Sequence, residues 1–194
     1  MKILDYIEKN KNSVEEATYQ KGETIFYEND LCFKVGVVKN GEITIRSFFA
    51  NGKEVTYNTI TKGQMFGNNL IYSSNPYYRG DVISETNSTV FFINKETLLK
   101  MLSGDSDFLQ EYLTEQSDFS KQLNLKIKLL TINNAEDRLI YYLTINKGTI
   151  SYKTITTLAN ELFLTRESLS RTIKKLIDKK VIKNSLKTLT LIVK

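Results

Sequence analysis

The chain has 194 residues, 41% of them hydrophobic and 25% charged, and a formal net charge of +5. These values are typical of a globular protein with one domain or two small ones. Its single cysteine, Cys32, excludes an internal disulfide, and the absence of histidine removes the commonest metal ligand and general base. Most enzyme classes are thereby disfavoured, and because the sequence shows neither a nucleophile–base pair nor a metal cluster, we expect no enzymatic activity.

The start of the chain and its hydropathy predict the compartment. Residues 1–16 carry charges where a signal peptide has its apolar stretch. No segment approaches the roughly 18 consecutive apolar residues of a membrane helix. We therefore expect a cytoplasmic protein without a membrane partner.

The first region, about residues 19–93, is rich in strand formers, and eight of the nine glycines precede residue 105. Asn-Gly stands between apolar or alternating runs at residues 40–41 and 51–52. Each pair predicts a hairpin, because both turn residues can accept positive φ. Residues 43–46, "ITIR", alternate apolar and polar side chains, as in a strand with one buried face. This region is predicted to be an antiparallel β-barrel or sandwich.

The second region, about residues 107–130, contains neither proline nor glycine and predicts one long helix. Positions at alternating spacings of four and three form a heptad seam along it: Leu109, Leu113, Gln116, Ser120, Leu123, Ile127 and Leu130. Two of these positions are polar, and a helix packed against its own barrel would also show an apolar stripe. The length of the helix and its place between unlike regions favour a helix that forms a dimer through residues 109–130.

From about residue 133 the periodicity indicates short helices. Leu139, Ile140 and Leu143 form an apolar stripe, and Gly148 ends that segment. The next helix carries its apolar side chains at i, i+3, i+4 and i+7: Ile155, Leu158, Ala159 and Leu162.

After a break at Phe163 and Leu164, Thr165 can cap a further helix. Its predicted buried stripe is Leu169, Ile173, Leu176 and Ile177, and its opposite face carries Arg166, Glu167, Ser170 and Arg171. Two short helices joined by a tight turn predict a helix-turn-helix, and the closing "TLTLIVK" predicts a strand of a wing. Many such units have glycine where Phe163 stands, so we expect a tighter turn or an altered angle.

Charge separates the last region from the rest of the chain. Residues 1–120 hold 12 Lys/Arg against 17 Asp/Glu, whereas residues 121–194 hold 15 against 5. A basic module joined to an acidic one indicates a polyanionic partner, most simply double-stranded DNA. A lysine-rich solvated surface would give the same balance.

The order of β-region, long helix and winged helix-turn-helix resembles the CRP/FNR family of bacterial transcription regulators. The resemblance extends from about residue 19 to 194, and Arg166-Glu167 with Ser170-Arg171 is its most specific part. It implies an α+β fold: a jelly-roll-like β-roll sensor at residues 1–106, a dimerisation helix at 107–132 and the DNA-binding domain at 133–194. It also implies a homodimer on a palindromic operator, with RNA polymerase as a partner if the protein is an activator. The sequence does not separate activator from repressor.

The candidate base-reading residues lie on one face near the helix amino terminus, at i, i+1, i+4 and i+5. Arginine matches the two acceptors of guanine, and glutamate can accept from the cytosine amino group. In CRP-like proteins the residues matching Arg166, Glu167 and Arg171 contact bases of half-sites resembling TGTGA. Alternatively, Glu167 stabilises the helix through its dipole and pairs with Arg171. Further candidates for contacts with the DNA backbone are Thr165, Lys174, Lys175, Lys179 and Lys180.

The candidate effector pocket consists of Gly67, Asn68, Asn69 and Arg79. Cyclic-AMP-binding members of the family hold the ribose with an acidic residue after a glycine and the phosphate with an Arg-Ser pair. Here Asn68 stands at the acidic position and Arg79 falls one position late, so we do not expect cyclic AMP. Arg79 either binds another anion or is a surface arginine.

Other cofactors of the family are also not expected. Iron–sulfur members use several cysteines, haem-binding members use histidine or cysteine ligands, and this chain has one cysteine and no histidine. Cys32 is either a redox switch or, inside the apolar run "LCFKVGVV", a small core residue. One alternative remains for the whole chain: a small-molecule-binding or protein-interaction module whose basic helical end does not read DNA.

Overall fold

The fold divides into two compact units, with the boundary between Asp118 and Phe119. The computed structural model describes residues 3–192. The boundary lies inside a long helix, so that this element contributes residues to both units. No helix in the described part of the chain is long and apolar enough to cross a bilayer.

The first unit is built from two antiparallel sheets with helices at both ends of its sequence. The helices are α1 (Ile3–Lys9), α2 (Lys95–Gly104) and the first part of α3 (Ser106–Thr131), with a 3-10 turn at Lys11–Ser13. The strands are β1 (Glu15–Tyr19), β2 (Thr24–Phe26), β3 (Lys34–Asn40), β4 (Glu42–Phe48), β5 (Glu54–Thr61), β6 (Met65–Phe66), β7 (Asp81–Ser84) and β8 (Ser88–Asn94). One sheet has the order β1-β8-β3-β6 and the other β2-β7-β4-β5. The predicted antiparallel β-roll is confirmed.

The two Asn-Gly pairs have different outcomes. β4 and β5 form the hairpin predicted at residues 51–52, with Phe48 opposite Glu54. Its loop spans residues 49–53, and Gly52 takes φ of +78°. The hairpin predicted at residues 40–41 is wrong, because β3 and β4 belong to different sheets.

Gly41 is the point where the chain crosses from one sheet to the other. It has φ of +92°, and a Cβ atom there would lie 2.2 Å from Ser88 Oγ and 2.7 Å from Ser88 Cα. The position therefore requires glycine both for its backbone conformation and for the close approach of β8. Asn-Gly signals a sharp turn, but it does not determine whether the flanking strands pair.

Aromatic side chains fill the space between the two sheets. Phe26 stacks on Tyr78 with ring centroids 4.7 Å apart, and Phe66 meets Phe92 edge to face at 6.1 Å. Gly36 on β3 makes room for Phe66, whose ring would lie 2.1 Å from a Cβ atom at that position. Cys32 is buried in the same core, which confirms its interpretation as a small core residue.

The alternation predicted at residues 43–46 is only partly right. Ile43 is fully buried and Ile45 half-buried, but Thr44 is buried too. Its hydroxyl donates to Glu85 at 2.7 Å and accepts from Arg46 Nε at 2.8 Å. A buried hydroxyl with both bonds satisfied lies inside a sheet without the usual cost of burying a polar group.

The second unit contains the end of α3, three short helices and a three-stranded antiparallel sheet. Its elements after α3 are α4 (Ala135–Ile145), β9 (Thr149–Ser151), α5 (Ile155–Glu161), α6 (Arg166–Asp178), β10 (Ile182–Ser185) and β11 (Thr188–Leu191). The strands have the order β10-β11-β9. The strand predicted within "TLTLIVK" is confirmed as β11, and the last two residues of that stretch lie outside the described residues.

The core of the second unit joins the helices of the predicted helix-turn-helix. Buried apolar side chains come from each of its elements: Leu129, Leu139, Leu143, Ile150, Leu158, Ala159, Leu162, Leu169, Ile173, Leu176, Ile182 and Leu189. Ile177 was predicted in this set wrongly, since it is 38% exposed. Thr172 is buried instead, and its hydroxyl donates to the carbonyl of Ser168 at 2.9 Å, which satisfies the hydroxyl locally.

Candidate nucleic-acid interface

α5 and α6 are joined by a turn that ends in a capping residue, as the sequence predicts. Thr165 has extended backbone angles, and its Oγ1 accepts from the amide of Ser168 at 3.1 Å. That bond satisfies one of the amides that a helix leaves unpaired at its start. The Thr165 hydroxyl is exposed and keeps its proton available for an acceptor such as a phosphate oxygen.

Phe163 occupies the turn with φ of +53°, a conformation that glycine adopts freely and a bulky residue rarely. Leu164 follows, and its amide donates to the carbonyl of Ala159 at 2.9 Å. The turn thus has the left-handed conformation typical of glycine although phenylalanine stands there, and this adds backbone strain.

The four candidate base-reading side chains all lie on the exposed face of the first turns of α6. At about 100° per residue, positions 166, 167, 170 and 171 span an arc of about 140°. Among residues 3–192, none of these four side chains forms an ion pair or a hydrogen bond. The alternative pairing of Glu167 with Arg171 is therefore not formed, and the donors and acceptors of this face are open to an external partner.

The lysines on α6 and just after it divide into two groups. Lys175 pairs with Glu136 of α4, and the Nζ of Lys179 donates to the same carboxylate at 2.7 Å. Hydrogen bonds from Lys175 and Lys179 hold the pKa of Glu136 below its usual range. Lys174 is exposed and, within the described residues, makes no ion pair. Of the four candidate lysines for contacts with the DNA backbone, Lys174 and Lys180 are thus the ones that make no ion pair within the described residues.

The wing is the hairpin of β10 and β11. Ser185 pairs with Thr188, and the two residues between them, Leu186 and Lys187, both have positive φ, of +47° and +61°. This is the backbone geometry of the tightest hairpin loops, formed here without asparagine or glycine. The carbonyl of Lys187 accepts from the amide of Tyr152, three residues before α5 begins, which attaches the wing to the start of the helix-turn-helix.

A buried arginine that the sequence interpretation missed lies behind the turn. Arg138 of α4 is 8% exposed, and its guanidinium donates to the carbonyls of Ile132, Leu162 and Phe163. The sequence does show that Arg138 lies next to Leu139, in the apolar stripe of this helix. The stripe alone does not show which polar groups would surround the guanidinium.

The candidate effector residues lie in the first unit and divide between core and surface. Gly67 is buried with φ of +76°, and a Cβ atom there would lie 2.9 Å from Tyr78 Oη and 3.0 Å from Cys32 Sγ. Asn68 is half-buried, and its carbonyl accepts from the hydroxyl of Tyr112 on α3 at 3.0 Å. Tyr78, which precedes Arg79, lies next to Gly67 and so brings residues 67–69 close to residues 78–79. The side chains of Asn69 and Arg79 are exposed.

The same contacts determine the chemistry of Cys32 and Tyr112. The Cys32 thiol donates toward the carbonyls of Lys34 and Gly67 at 3.6 and 3.5 Å, and burial raises its pKa. Burial also raises the pKa of Tyr112 to about 12, so this hydroxyl stays a donor to Asn68 at physiological pH. Among residues 3–192 no group of His, Cys, Asp and Glu side chains could hold a metal ion.

Comparison with known protein families gives a match within the first unit. Residues 16–105 match the family of cyclic nucleotide-binding domains. No curated protein matches the chain in sequence.

Solved structures share the fold over most of the chain. A transcriptional regulator from Thermotoga maritima is 25% identical, with a TM-score of 0.60, over 64% of this chain and 97% of its own. The catabolite activator protein of Thermus thermophilus is 18% identical, with a TM-score of 0.58, over 97% of this chain and 90% of its own. A CooA variant from Carboxydothermus hydrogenoformans is 16% identical, with a TM-score of 0.69, over 98% of this chain and 91% of its own.

Proposed function

Because the chain carries a cyclic nucleotide-binding domain and has the fold of CRP/FNR-type regulators, as its sequence predicts, we propose that it is a DNA-binding transcription regulator. It acts as a homodimer on a palindromic operator, and a signal received by the β-roll controls it. The alternative is a small-molecule-binding or protein-interaction module whose basic helical end does not read DNA, and it predicts no salt-dependent affinity for DNA.

The observation that carries this proposal is the face of α6 formed by Arg166, Glu167, Ser170 and Arg171. Two guanidinium groups, a carboxylate and a hydroxyl project from the first turns of a helix, without partners in the described chain. In helix-turn-helix proteins this end of the second helix enters the major groove. Arginine suits guanine and glutamate suits the cytosine amino group, so the preferred half-site is G·C-containing and TGTGA-like.

The exposed seam of α3 supports the homodimer. Leu109 and Leu113 in the first unit, and Leu123, Ile127 and Leu130 in the second, are all exposed. Different side chains of the same helix pack inward, Phe108 and Tyr112 into the first core and Leu129 into the second. The apolar stripe is therefore not used by the chain's own cores, and a second copy of α3 would bury it.

The sensor segment supports control by a signal. Gly67 and Asn68 lie between the core of the β-roll and the hydroxyl of Tyr112 on α3, so a ligand bound at residues 67–69 contacts the helix that carries the seam. The side chains available for the DNA backbone are those of Thr165, Lys174 and Lys180. Arg79 is an exposed cation available to an anionic effector.

Selection of random duplex DNA on the purified protein, first without and then with added cell extract, tests the proposal. We expect an inverted repeat with half-site centres about 10 base pairs apart, guanines opposite the arginines, and an affinity that falls steeply with salt. Recovery of no sequence under either condition, together with salt-insensitive binding, would show that the basic face is not a DNA surface.

A further inference from the structure

Arg138 is a buried cation whose contacts are carbonyl groups. Its Nε and Nη2 donate to the carbonyl of Ile132 at 3.0 and 2.6 Å, and its Nη1 donates to those of Leu162 and Phe163 at 2.9 and 3.0 Å. Within residues 3–192 no carboxylate pairs with this guanidinium. The protein therefore balances a buried positive charge with backbone oxygen alone, through four charge-assisted hydrogen bonds.

These carbonyls come from the ends of two helices. Ile132 follows the last residue of α3, and Leu162 and Phe163 follow the last residue of α5. The final carbonyls of a helix have no partner within it, and they carry the negative end of its dipole. Arg138 thus satisfies the carboxyl ends of α3 and α5 together and holds one against the other.

The α5 end is the strained turn. The carbonyl of Phe163 accepts a hydrogen bond from Arg138 Nη1 at 3.0 Å, and the φ of Phe163 is +53°. Two residues later Thr165 caps α6, and Arg166 and Glu167 follow at once. The orientation of the candidate base-reading residues therefore depends on a turn that Arg138 holds in a conformation unfavourable for phenylalanine.

The α3 end is the end of the seam. Leu129 is buried in the core of the second unit, and its neighbour Leu130 is exposed on the seam. Two residues further, the carbonyl of Ile132 accepts a hydrogen bond from Arg138 Nη2. The last turn of α3 is therefore fixed to the domain by one packed side chain and by the guanidinium.

We propose that Arg138 is a positioning residue that couples the end of the dimerisation seam to the amino terminus of α6. The proposal rests on the proposed function, in that its consequence is the angle at which α6 meets DNA. Pairing of two α3 helices then sets the geometry of both recognition faces through one guanidinium in each copy. Arg138 touches no DNA in this scheme.

The first test is Arg138→Lys in the full chain. Lysine keeps the positive charge but cannot span the two helix ends with a planar fork. We expect affinity for the selected operator to fall about tenfold to a hundredfold, with affinity for random duplex of the same length and salt unchanged. Equal losses on the two DNAs would mean that the variant only lowers the folded fraction, and would overturn the proposal.

The second test is a double-mutant cycle with Phe163→Gly. Glycine adopts the left-handed conformation without strain, so Phe163→Gly alone keeps operator affinity as long as Arg138 holds the turn. When Arg138 is also replaced by lysine, glycine still adopts the left-handed conformation where phenylalanine would leave it, so the combined loss is smaller than the product of the single losses. A combined loss equal to that product would show that Arg138 does not act through the turn.

A third readout separates this inference from the proposed function. Hydrogen exchange of the amides of residues 163–169 is expected to accelerate in Arg138→Lys, with exchange in β9, β10 and β11 unchanged. This measurement needs no DNA, and it remains decisive if the wild-type protein selects no operator. Unchanged exchange at residues 163–169 would overturn the coupling whatever the DNA experiments show.

Discussion

Glu136 on α4 accepts a hydrogen bond at 2.7 Å from the Nζ of Lys179, the residue that follows α6. The same carboxylate also pairs with Lys175, so one acidic side chain engages one lysine of α6 and the lysine that follows the helix. The basic surface of this helix is therefore narrower than its sequence indicates. Arg166, Arg171 and Lys174 are its unengaged cations among the described residues.

Base readout and backbone contact can be separated with single substitutions on α6. Arg171→Ala is expected to cost about 1–3 kcal/mol at the cognate half-site and to relax its base preference, because a bidentate contact to guanine is lost. Fluorescence anisotropy with operator and random duplexes measures both effects. Equal weakening on the two duplexes would remove Arg171 from base readout.

Lys174→Ala is expected to weaken binding about equally on all sequences and to reduce the salt slope by about 1, because a contact to phosphate carries no sequence information. Lys175→Ala is the matched control, since Glu136 already holds that ammonium group. Titrations at several salt concentrations compare the two variants. A larger change of slope for Lys175 than for Lys174 would contradict this assignment.

The seam of α3 can be tested by charge. Ile127→Glu places carboxylates at an apolar contact between two copies of the helix, where each would lose water without gaining a partner. We expect monomers in sedimentation equilibrium and a loss of operator affinity. Gln122→Glu adds the same charge at an exposed position outside the seam and should leave the dimer intact. A dimer that survives Ile127→Glu would refute pairing through residues 109–130.

Glu115 makes the stability of the first unit depend on pH. Burial and the nearby Glu111 raise the pKa of Glu115 to about 7 from 4.5, in a cavity of about 460 Å³ that Asp5 and Lys62 also line. The folded protein therefore binds this proton more tightly than the unfolded chain. The stabilising contribution is complete below pH 4.5 and is lost as the pH rises through 7.

Glu115→Gln removes the ionisable carboxyl group, and with it the cost of holding a buried negative charge above pH 7. We expect the variant to be more stable than wild type at pH 8, by on the order of 1 kcal/mol, and the difference to shrink toward pH 4.5. Urea unfolding at both pH values measures it. Glu111→Gln should also increase stability at pH 8, but by less. If the stability difference between Glu115→Gln and wild type does not vary with pH, the raised pKa of Glu115 is contradicted.

The Cys32 thiol is expected to be inert in the folded protein. It is 3% exposed, and burial raises its pKa, so little thiolate is present and reagent cannot reach it. Labelling with a disulfide reagent should be slow in buffer and fast in urea. Rapid labelling of the native protein would instead revive the redox interpretation.

Local signals predict most of the helix-turn-helix. The apolar spacing on α5, the cap at Thr165 and the stripe from Leu169 to Leu176 each depend on neighbours within a few residues, and the structure confirms them. Ile177 was wrongly placed in the stripe because, at about 100° per residue, it lies about 80° around the helix from Leu169, at the edge of the buried face. The base-reading role of α6, the effector pocket and the dimer remain predictions.

Features that depend on distant parts of the chain could not be predicted. Asn40-Gly41 has the composition of a hairpin turn, yet only the assembled sheets show that β3 and β4 do not pair. Arg138 reads as a charge on an ordinary amphipathic helix until residues 132, 162 and 163 come together around it. Tyr112 likewise gains its role from Asn68, 44 positions earlier.

The burial of Cys32 also makes the chain a convenient frame for spectroscopy. It is the only cysteine in the sequence, and its sulfur is enclosed by Tyr78 and two backbone carbonyls. A cysteine introduced at an exposed site would therefore be the one thiol that reacts with a fluorophore or spin label in native buffer. With a label at Gln122, the distance between the two labels of a dimer would measure the separation of the two α3 helices with and without a ligand, without any change to the sensor core.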